Sequence, residues 1–253
     1  MLVINNGAPK GGSTWLQQII RSFEIYERVP AEYQDNTWWN SSIDENKLDA
    51  FLLHVKYQQD NYFCKQHWVG KTKYKKLLED KHVKIVNIIR DIRDVLVSRF
   101  FHEKRLNNLS ANLTIEDYYW NGTGKAVIKN YIEYQRFWHD SNLPESQPFL
   151  CSYKRLHNDF VNQVLELANY LNLSVIQAKE IEYIREKTNF KNKKETGEGK
   201  FFRKGSTGDW QNHLSDSIIN DIKAICNTTD YFELQKKMSE NFNLSLPEEE
   251  DLF

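Results

Sequence analysis

The stretch Leu2–Leu16, LVINNGAPKGGSTWL, decides how the rest of the chain is read. Leu2, Val3 and Ile4 form a short apolar run, the pattern of a strand buried on both faces. Gly7-Ala8-Pro9-Lys10-Gly11-Gly12-Ser13-Thr14 follows, with three glycines and one lysine in eight residues. Beyond it Trp15, Leu16, Ile19, Ile20 and Phe23 recur at helical spacing, with Ser13 or Thr14 placed to cap the helix. A strand, a glycine loop and a helix N-terminus in succession make a phosphate cradle. Glycines let backbone N–H groups turn inward, the first helical turn adds its own free N–H groups, and the lysine adds charge. An ordinary strand-to-helix turn also favours Gly and Ser, but the added Lys10 and the glycine density favour phosphate.

The loop departs from that of the nucleotide triphosphatases, which ends in Gly-Lys-Ser/Thr so that the hydroxyl can hold Mg²⁺. Here Gly12 precedes Ser13, and the lysine stands upstream at Lys10. The loop points to phosphate and argues against Mg-ATP.

Composition narrows the class. With 253 residues, 40% of them hydrophobic, the chain can bury one sizeable core, and a single domain over 1–253 is expected. A net charge of −1 provides no general field to recruit nucleic acid or a membrane surface, so neither is an expected partner. No apolar run reaches the length of a membrane span, and MLVINNG lacks the charged start and apolar core of a signal peptide. Cys64, Cys151 and Cys226 are too few and too scattered for a disulfide framework or a zinc site. A reduced, cytoplasmic protein is expected, without a metal.

Further strands are expected over Asn61–His67, Val83–Ile89 and Pro148–Tyr153. Helices are expected over Asp44–His54, Lys73–Asp80, Val95–Arg105, Thr114–Trp120, Lys125–His139, 157–171, 174–187 and Asp216–Cys226. Val29–Ser42, with Tyr33, Trp38 and Trp39, reads as a substrate-facing lid or as loop packing. Lys191–Gly208 reads as loop, 215–253 as a helical tail, and Pro247–Asp251 as its acidic, frayed end. Short buried strands alternating with helices predict an α/β fold around a parallel sheet.

In such sheets ligands sit beyond the carboxyl ends of the strands. Three of those ends carry chemistry: the loop after Ile4, Lys65 and His67 after the second long strand, and Arg90 after VKIVNII. Arg90 and Ser98 stand eight residues apart around a helix start, and Arg203-Lys204-Gly205 places two cations beside a glycine. Cations at separate places suit a ligand with phosphates at two positions. The plain reading of Arg90 is a salt-bridged helix start with Asp91, Arg93 and Asp94, and that of the basic loop is solvation.

Three segments carry a family resemblance. Pro9-Lys10-Gly11-Gly12-Ser13-Thr14-Trp15-Leu16 resembles the 5′-phosphosulfate loop of sulfotransferases that use 3′-phosphoadenosine 5′-phosphosulfate (PAPS). The segment Ile88–Ser98 resembles their 3′-phosphate segment, with its Arg and Ser eight apart. Phe202–His213, FRKGSTGDWQNH after the first Phe, resembles their Arg-Lys-Gly-x-x-Gly-Asp-Trp-Lys-Asn segment. The three lie in the family's order over about residues 2–214. The resemblance implies a P-loop-like three-layer α/β fold with a central parallel sheet flanked by helices.

It also implies roles. Lys10, Gly11, Gly12, Ser13, Thr14 and Trp15 would hold the 5′-phosphosulfate, with Trp15 against the adenine. Arg90, Ser98, Phe202, Arg203, Lys204 and Gly205 would serve the 3′-phosphate segment. Thr188-Asn189-Phe190 is similar to the family's Thr-Ser-Phe, where Phe stacks on adenine, and Tyr153 stands where the family has Tyr-Glu-Asp. Cys64-Lys65-Gln66-His67 resembles the Lys-Thr-His stretch that carries the catalytic base, making His67 the expected base with Lys10 and Lys65 beside it. The family's dimerisation pattern is not matched around Gln211–Asn220, leaving oligomeric state open. With the loop so near Met1, a segment that helps wall the acceptor pocket in animal cytosolic members is not expected.

The residue types suit the chemistry. Sulfuryl transfer leaves charge on a bridging oxygen that a lysine can neutralise, and a small-molecule alcohol, phenol or amine must lose a proton to a base such as neutral histidine. His54 and His102 compete with His67 for that role. A P-loop kinase with Asp91 on the metal side and a nucleotide-binding module without catalysis are the alternatives. Tyr33, Trp38, Trp39, Trp68 and Tyr119 are expected in part to line an acceptor pocket.

Overall fold

The computed structural model describes residues 1–35, 42–139, 148–173, 176–189 and 205–242. Trp38, Trp39, Phe190, Phe202, Arg203 and Lys204 lie outside these described residues.

The apolar run at the start forms β1 (Leu2–Asn5), and VKIVNII forms β4 (Val83–Ile89). With β2 (Glu27–Arg28), β3 (Tyr62–Lys65) and β5 (Phe149–Ser152) they make a five-stranded sheet in the order β2-β3-β1-β4-β5. Every pairing is parallel, with Asn5 opposite both Lys65 and Val86 and Ile89 opposite Ser152. The carboxyl ends therefore share one edge. This is the expected α/β architecture. The two-residue β2 is too short and polar to show as a strand pattern in the sequence.

Strand alternation sends side chains to two cores. Leu2, Ile4, Cys64 and Ile85 pack on one face against α2 (Leu48–Gln58), α4 (Ile92–Arg105), α5 (Ile115–Trp120), α6 (Gly124–His139) and α10 (Asp216–Thr228), numbering helices in chain order. Val3, Phe63, Val86 and Cys151 pack on the other against α1 (Ser13–Arg21), α8 (Phe160–Tyr170) and α9 (Ala178–Thr188). A sheet buried on both sides explains why its strands read as unbroken apolar runs.

Several boundaries differ from expectation. The helix expected from Val95 begins at Ile92, because Asp91 caps it by accepting from the Arg93 N–H at 2.9 Å. Lys73–Asp80 divides into α3 (Thr72–Lys76) and a 3₁₀ turn that buries Leu77 and Leu78. The helix expected over 157–171 is interrupted at Asp159, preceded by α7 (Tyr153–Asn158) and followed by α8. Ser152 caps α7 through its hydroxyl, a signal hidden inside an apolar strand. A further helix, α11 (Tyr231–Phe242), packs beside α10 and α6. Tyr119 is core and not pocket: it is fully buried, and its hydroxyl donates to Asp221 at 2.8 Å. Among the described residues no helix is long and apolar enough to cross a membrane.

Trp138, fully buried on α6, donates its indole N–H to the Trp68 carbonyl at 2.8 Å and so ties that helix to the segment after β3. Trp138→Ala is expected to cost about 3–5 kcal/mol, read as a lower urea midpoint with little change in slope. Trp138→Phe should lose less.

Candidate active site

The loop after β1 is shaped by contacts that exclude side chains. A Cβ on Gly7 would meet Ile88 Cγ2 at 2.8 Å, and one on Gly12 would meet the Tyr153 ring at 2.6 Å. Gly12 also sits at φ 112°, and Lys10 takes a left-handed φ of 67°. Gly12, rather than Ser13 or Thr14, occupies the N-cap, without a side-chain hydrogen bond. Ser13 is the first helical residue, and its carbonyl accepts from buried Asn5 Nδ2 at 2.7 Å. The first-turn amides thus have no hydroxyl cap to satisfy them, as an anion-binding helix start requires.

Three basic side chains from two strand ends surround this loop. Lys65, the last residue of β3, donates to Thr14 Oγ1 at 2.9 Å. Its pKa is lowered to about 8 by burial and by the nearby Arg21 charge. His67 lies two residues on, and its Nδ1 stands 2.5 Å from the Gly7 carbonyl. A carbonyl can only accept, so Nδ1 carries the proton and Nε2 is left as the basic nitrogen. Burial first, then the Lys65 and Lys10 charges, bring the His67 pKa down to about 4. Lys10 makes no hydrogen bond or ion pair with another described residue. Burial, followed by Arg105, Arg90, Lys65 and Arg99, lowers it to about 7.

Asn6 sets this geometry. Its Nδ2 donates to the Trp68 carbonyl at 3.1 Å, and its Oδ1 accepts the Trp68 N–H at 2.8 Å. The end of β1 is thereby clamped to the residue after His67. A polar residue closing an apolar run gave no sign of this role.

Arg90 follows β4 on the other side of the loop. Its Nη2 donates to the Ser206 carbonyl at 3.0 Å, its guanidinium lies 4.4 Å from the Tyr153 ring centroid, and buried Nε has no partner among the described residues. Asp94, one helical turn on, accepts the Gly208 N–H at 2.9 Å and the Trp210 N–H at 3.1 Å. Burial raises its pKa, opposed by Arg90 and these two amides. Asp94 therefore brings the Gly205–Trp210 segment to the start of α4. The motif order foretold that neighbourhood, but nothing in the sequence marked Asp94 as the anchor. A cavity of about 190 Å³ opens here, lined by Arg90, Asp94, Tyr153, Thr207, Gly208 and Trp210. Ser98 is half-buried farther along α4.

Trp15, on α1, meets Tyr153 edge-on at 5.4 Å and His157 at 4.8 Å between ring centroids. Its indole N–H donates to Thr188 Oγ1 at 3.4 Å. Trp15, Tyr153 and Thr188 thus share one corner, reached from three helices. The rival histidines lie differently. His54 Nε2 bonds the Tyr62 hydroxyl at the opposite end of β3. His102 Nδ1 accepts from Arg105 Nη2 at 2.7 Å, which leaves the proton on Nε2. Asp91 is held by Arg93 through both carboxylate oxygens, at 3.0 and 2.7 Å, and is not turned to a metal. Trp68 stacks on Tyr74 at 4.9 Å, and Tyr33 packs against Phe51 and His54.

The model of the sulfotransferase domain matches residues 3–242. Human sulfotransferase 2A1 is 24% identical over 250 residues, covering 86% of this chain and 80% of that protein. Rabbit amine sulfotransferase is 25% identical, covering 82% of this chain and 73% of its own. Among solved structures, a mouse sulfotransferase complexed with PAP superposes with a TM-score of 0.62 at 19% identity, covering 90% of this chain and 82% of that one. Retinol dehydratase in complex with androsterone and PAP gives 0.62 at 18% identity, covering 97% and 82%. The chain belongs to the sulfotransferase family, the PAPS-dependent enzymes its three motifs resemble.

An anion entering the cradle favours protonated Lys10 and raises its pKa from about 7 toward the ordinary lysine range. Binding of PAP (adenosine 3′,5′-bisphosphate) is therefore expected to take up protons at about pH 8.5, where Lys10 and in part Lys65 are neutral in the empty site. Calorimetry in buffers of different ionisation enthalpy measures this. The uptake at that pH should fall in Lys10→Met to the share that Lys65 contributes.

Proposed function

We propose that this protein transfers the sulfuryl group of PAPS to the hydroxyl or amine of a small-molecule acceptor, with His67 as general base and Lys10 facing the leaving phosphate. The observation that carries this reading is the hydrogen bond from His67 Nδ1 to the Gly7 carbonyl. It ties the base to the phosphate loop and makes Nε2 the ring nitrogen able to accept a proton. Relatives are named for amines and for hydroxysteroids, which supports a hydroxyl or amine of a small molecule without selecting one. Relatives from Arabidopsis are named cytosolic sulfotransferases, and a cytosolic location is proposed on that ground.

The residues present fit PAPS. Lys10 and the glycine cradle suit the 5′ end, while Arg90, with its buried Nε open, suits the 3′-phosphate beside Gly205 and Ser98. Trp15, Tyr153 and Thr188 form the corner proposed for adenine, to which Phe190 would add a ring, and Phe202, Arg203 and Lys204 would complete the 3′-phosphate segment. PAPS supplies an activated sulfuryl group on an anhydride oxygen. The chain's part is to hold and orient it, to neutralise the oxygen that gains charge, and to take the acceptor's proton. Lys10 and Lys65 supply the cations, and the buried, neutral His67 supplies the base. Among the described residues no cluster of His, Cys, Asp and Glu could hold a metal ion.

Arg90→Ala is expected to weaken PAP by about 1.5–3 kcal/mol in calorimetry while leaving 5′-AMP nearly unaffected, because one charge-assisted phosphate contact is lost.

His67→Ala should lower kcat by about two to four orders of magnitude with PAP affinity unchanged. The His67 pKa lies below its ordinary value, so the neutral, proton-accepting form persists as pH falls through 6.5 and is lost only near pH 4. Imidazole NMR of the nucleotide-free enzyme reads this directly. Full turnover in the variant would move the base elsewhere.

A further inference from the structure

Helix α6 bonds the backbone at three strand ends, and each end belongs to a different part of the candidate active site. The Tyr131 hydroxyl donates to the Arg90 carbonyl at 2.8 Å and accepts the Arg90 N–H, also at 2.8 Å. One side chain thereby holds both backbone groups of the residue after β4. The Tyr134 hydroxyl donates to the carbonyl of Asn6, where the phosphate loop begins. The Trp138 indole N–H donates at 2.8 Å to the carbonyl of Trp68, the residue after His67. All three side chains are buried.

Their spacing fits the sheet. Tyr131, Tyr134 and Trp138 stand at i, i+3 and i+7 and share one helix face. The strands they serve are β4, β1 and β3, which lie side by side in that order. A helix rises about 1.5 Å per residue, so the second and third positions fall about 4.5 and 10.5 Å along the axis from the first. Neighbouring strands stand about 4.8 Å apart, which puts the second and third strand ends about 4.8 and 9.6 Å from the first. The helix face is in step with the sheet edge. Packing alone asks only for apolar side chains, as α6 supplies with Ile128 and Ile132. Hydroxyl and indole N–H groups add direction, because a buried polar group binds its partner to one position.

We propose that Tyr131, Tyr134 and Trp138 are positioning residues, an inference that rests on the sulfuryl-transfer reading above. The α6 face sets the distances among the arginine assigned to the 3′-phosphate, the phosphosulfate loop and the base. Each residue acts through the backbone of one segment, so each variant should fail in the function of that segment.

The test removes one donor at a time and keeps an aromatic ring, with every variant assayed where urea titration shows it folded. Tyr131→Phe releases the Arg90 backbone and should weaken PAP at least fivefold in calorimetry while 5′-AMP stays within twofold. Tyr134→Phe should weaken PAP and 5′-AMP alike, at least threefold, because both share the 5′-phosphate loop. Trp138→Phe should lower kcat at least fivefold for transfer from labelled PAPS to 2-naphthol, with PAP affinity within twofold. Tyr119→Phe deletes a buried hydroxyl bonded to Asp221, between α5 and α10, and should lower the urea midpoint while leaving all these readouts within twofold. Lower midpoints with unchanged binding and turnover, or one uniform defect across the three α6 variants, overturn the inference and leave the bonds as supports of the fold. Should one α6 variant not fold, the other two decide. If the wild type binds PAP but does not sulfate 2-naphthol, the two tyrosine variants decide by calorimetry alone. Failure of the wild type to bind PAP overturns the PAPS reading itself, and this inference with it.

Discussion

Two consecutive buried asparagines at the end of β1 hold the site together. Asn5 donates to the Ser13 carbonyl and fixes where α1 starts, while Asn6 brackets both backbone groups of Trp68 and fixes where the chain leaves β3. The Asn6 N–H donates to the Val86 carbonyl, and its own carbonyl accepts from the Tyr134 hydroxyl. One residue thus bonds β4, α6 and the segment after β3 at the point where the phosphate loop begins. Buried amides are expensive unless satisfied, so each of these bonds is also a constraint on position. Lys10, Lys65 and His67 owe their proximity to this junction more than to contacts among themselves.

Parallel topology makes such a junction useful. Because β1, β3, β4 and β5 all run the same way, whatever follows each strand arrives at one edge. The loop after β1, His67 after β3, Arg90 after β4 and Tyr153 after β5 are four products of that rule. Asp94 then adds a fifth segment without a strand, by drawing two backbone N–H groups of the Gly208–Trp210 turn onto α4.

Much of this was legible from residues. Unbroken apolar runs announced strands covered on both faces, and β4 ends where its run ends, at Ile89. The glycine loop was legible because neighbouring side chains crowd Gly7 and Gly12, and Gly12 also takes a positive φ, and that leaves a trace in composition. What stayed hidden were features whose cause lies far away in sequence. Asn6 and Asp94 act on partners 62 and 114 or more residues distant, and a lone polar residue carries no periodic signal of that. Tyr119 is the converse case: it stands outside the core pattern that the sequence shows, yet it is buried and Asp221 accepts its hydroxyl. Likewise the break at Asp159 falls inside a pattern whose apolar residues continue at helical spacing into α8.

The electrostatics of the site contain a tension that the proposed chemistry resolves. The cations suited to a multiply charged nucleotide also bear on His67, and with burial they hold its imidazole far below the ordinary range. A base so depressed is reliably neutral but weak, since proton-accepting power falls with pKa. An anion bound against Lys10 and Lys65 cancels the field that opposes imidazolium formation, and it does so without moving His67, whose ring stays pinned to the Gly7 carbonyl. On this reading His67 becomes a stronger base when the phosphosulfate cradle is filled. A site that waits for its donor before it can deprotonate an acceptor needs no separate gate, because the donor's own charge sets the pKa of the base.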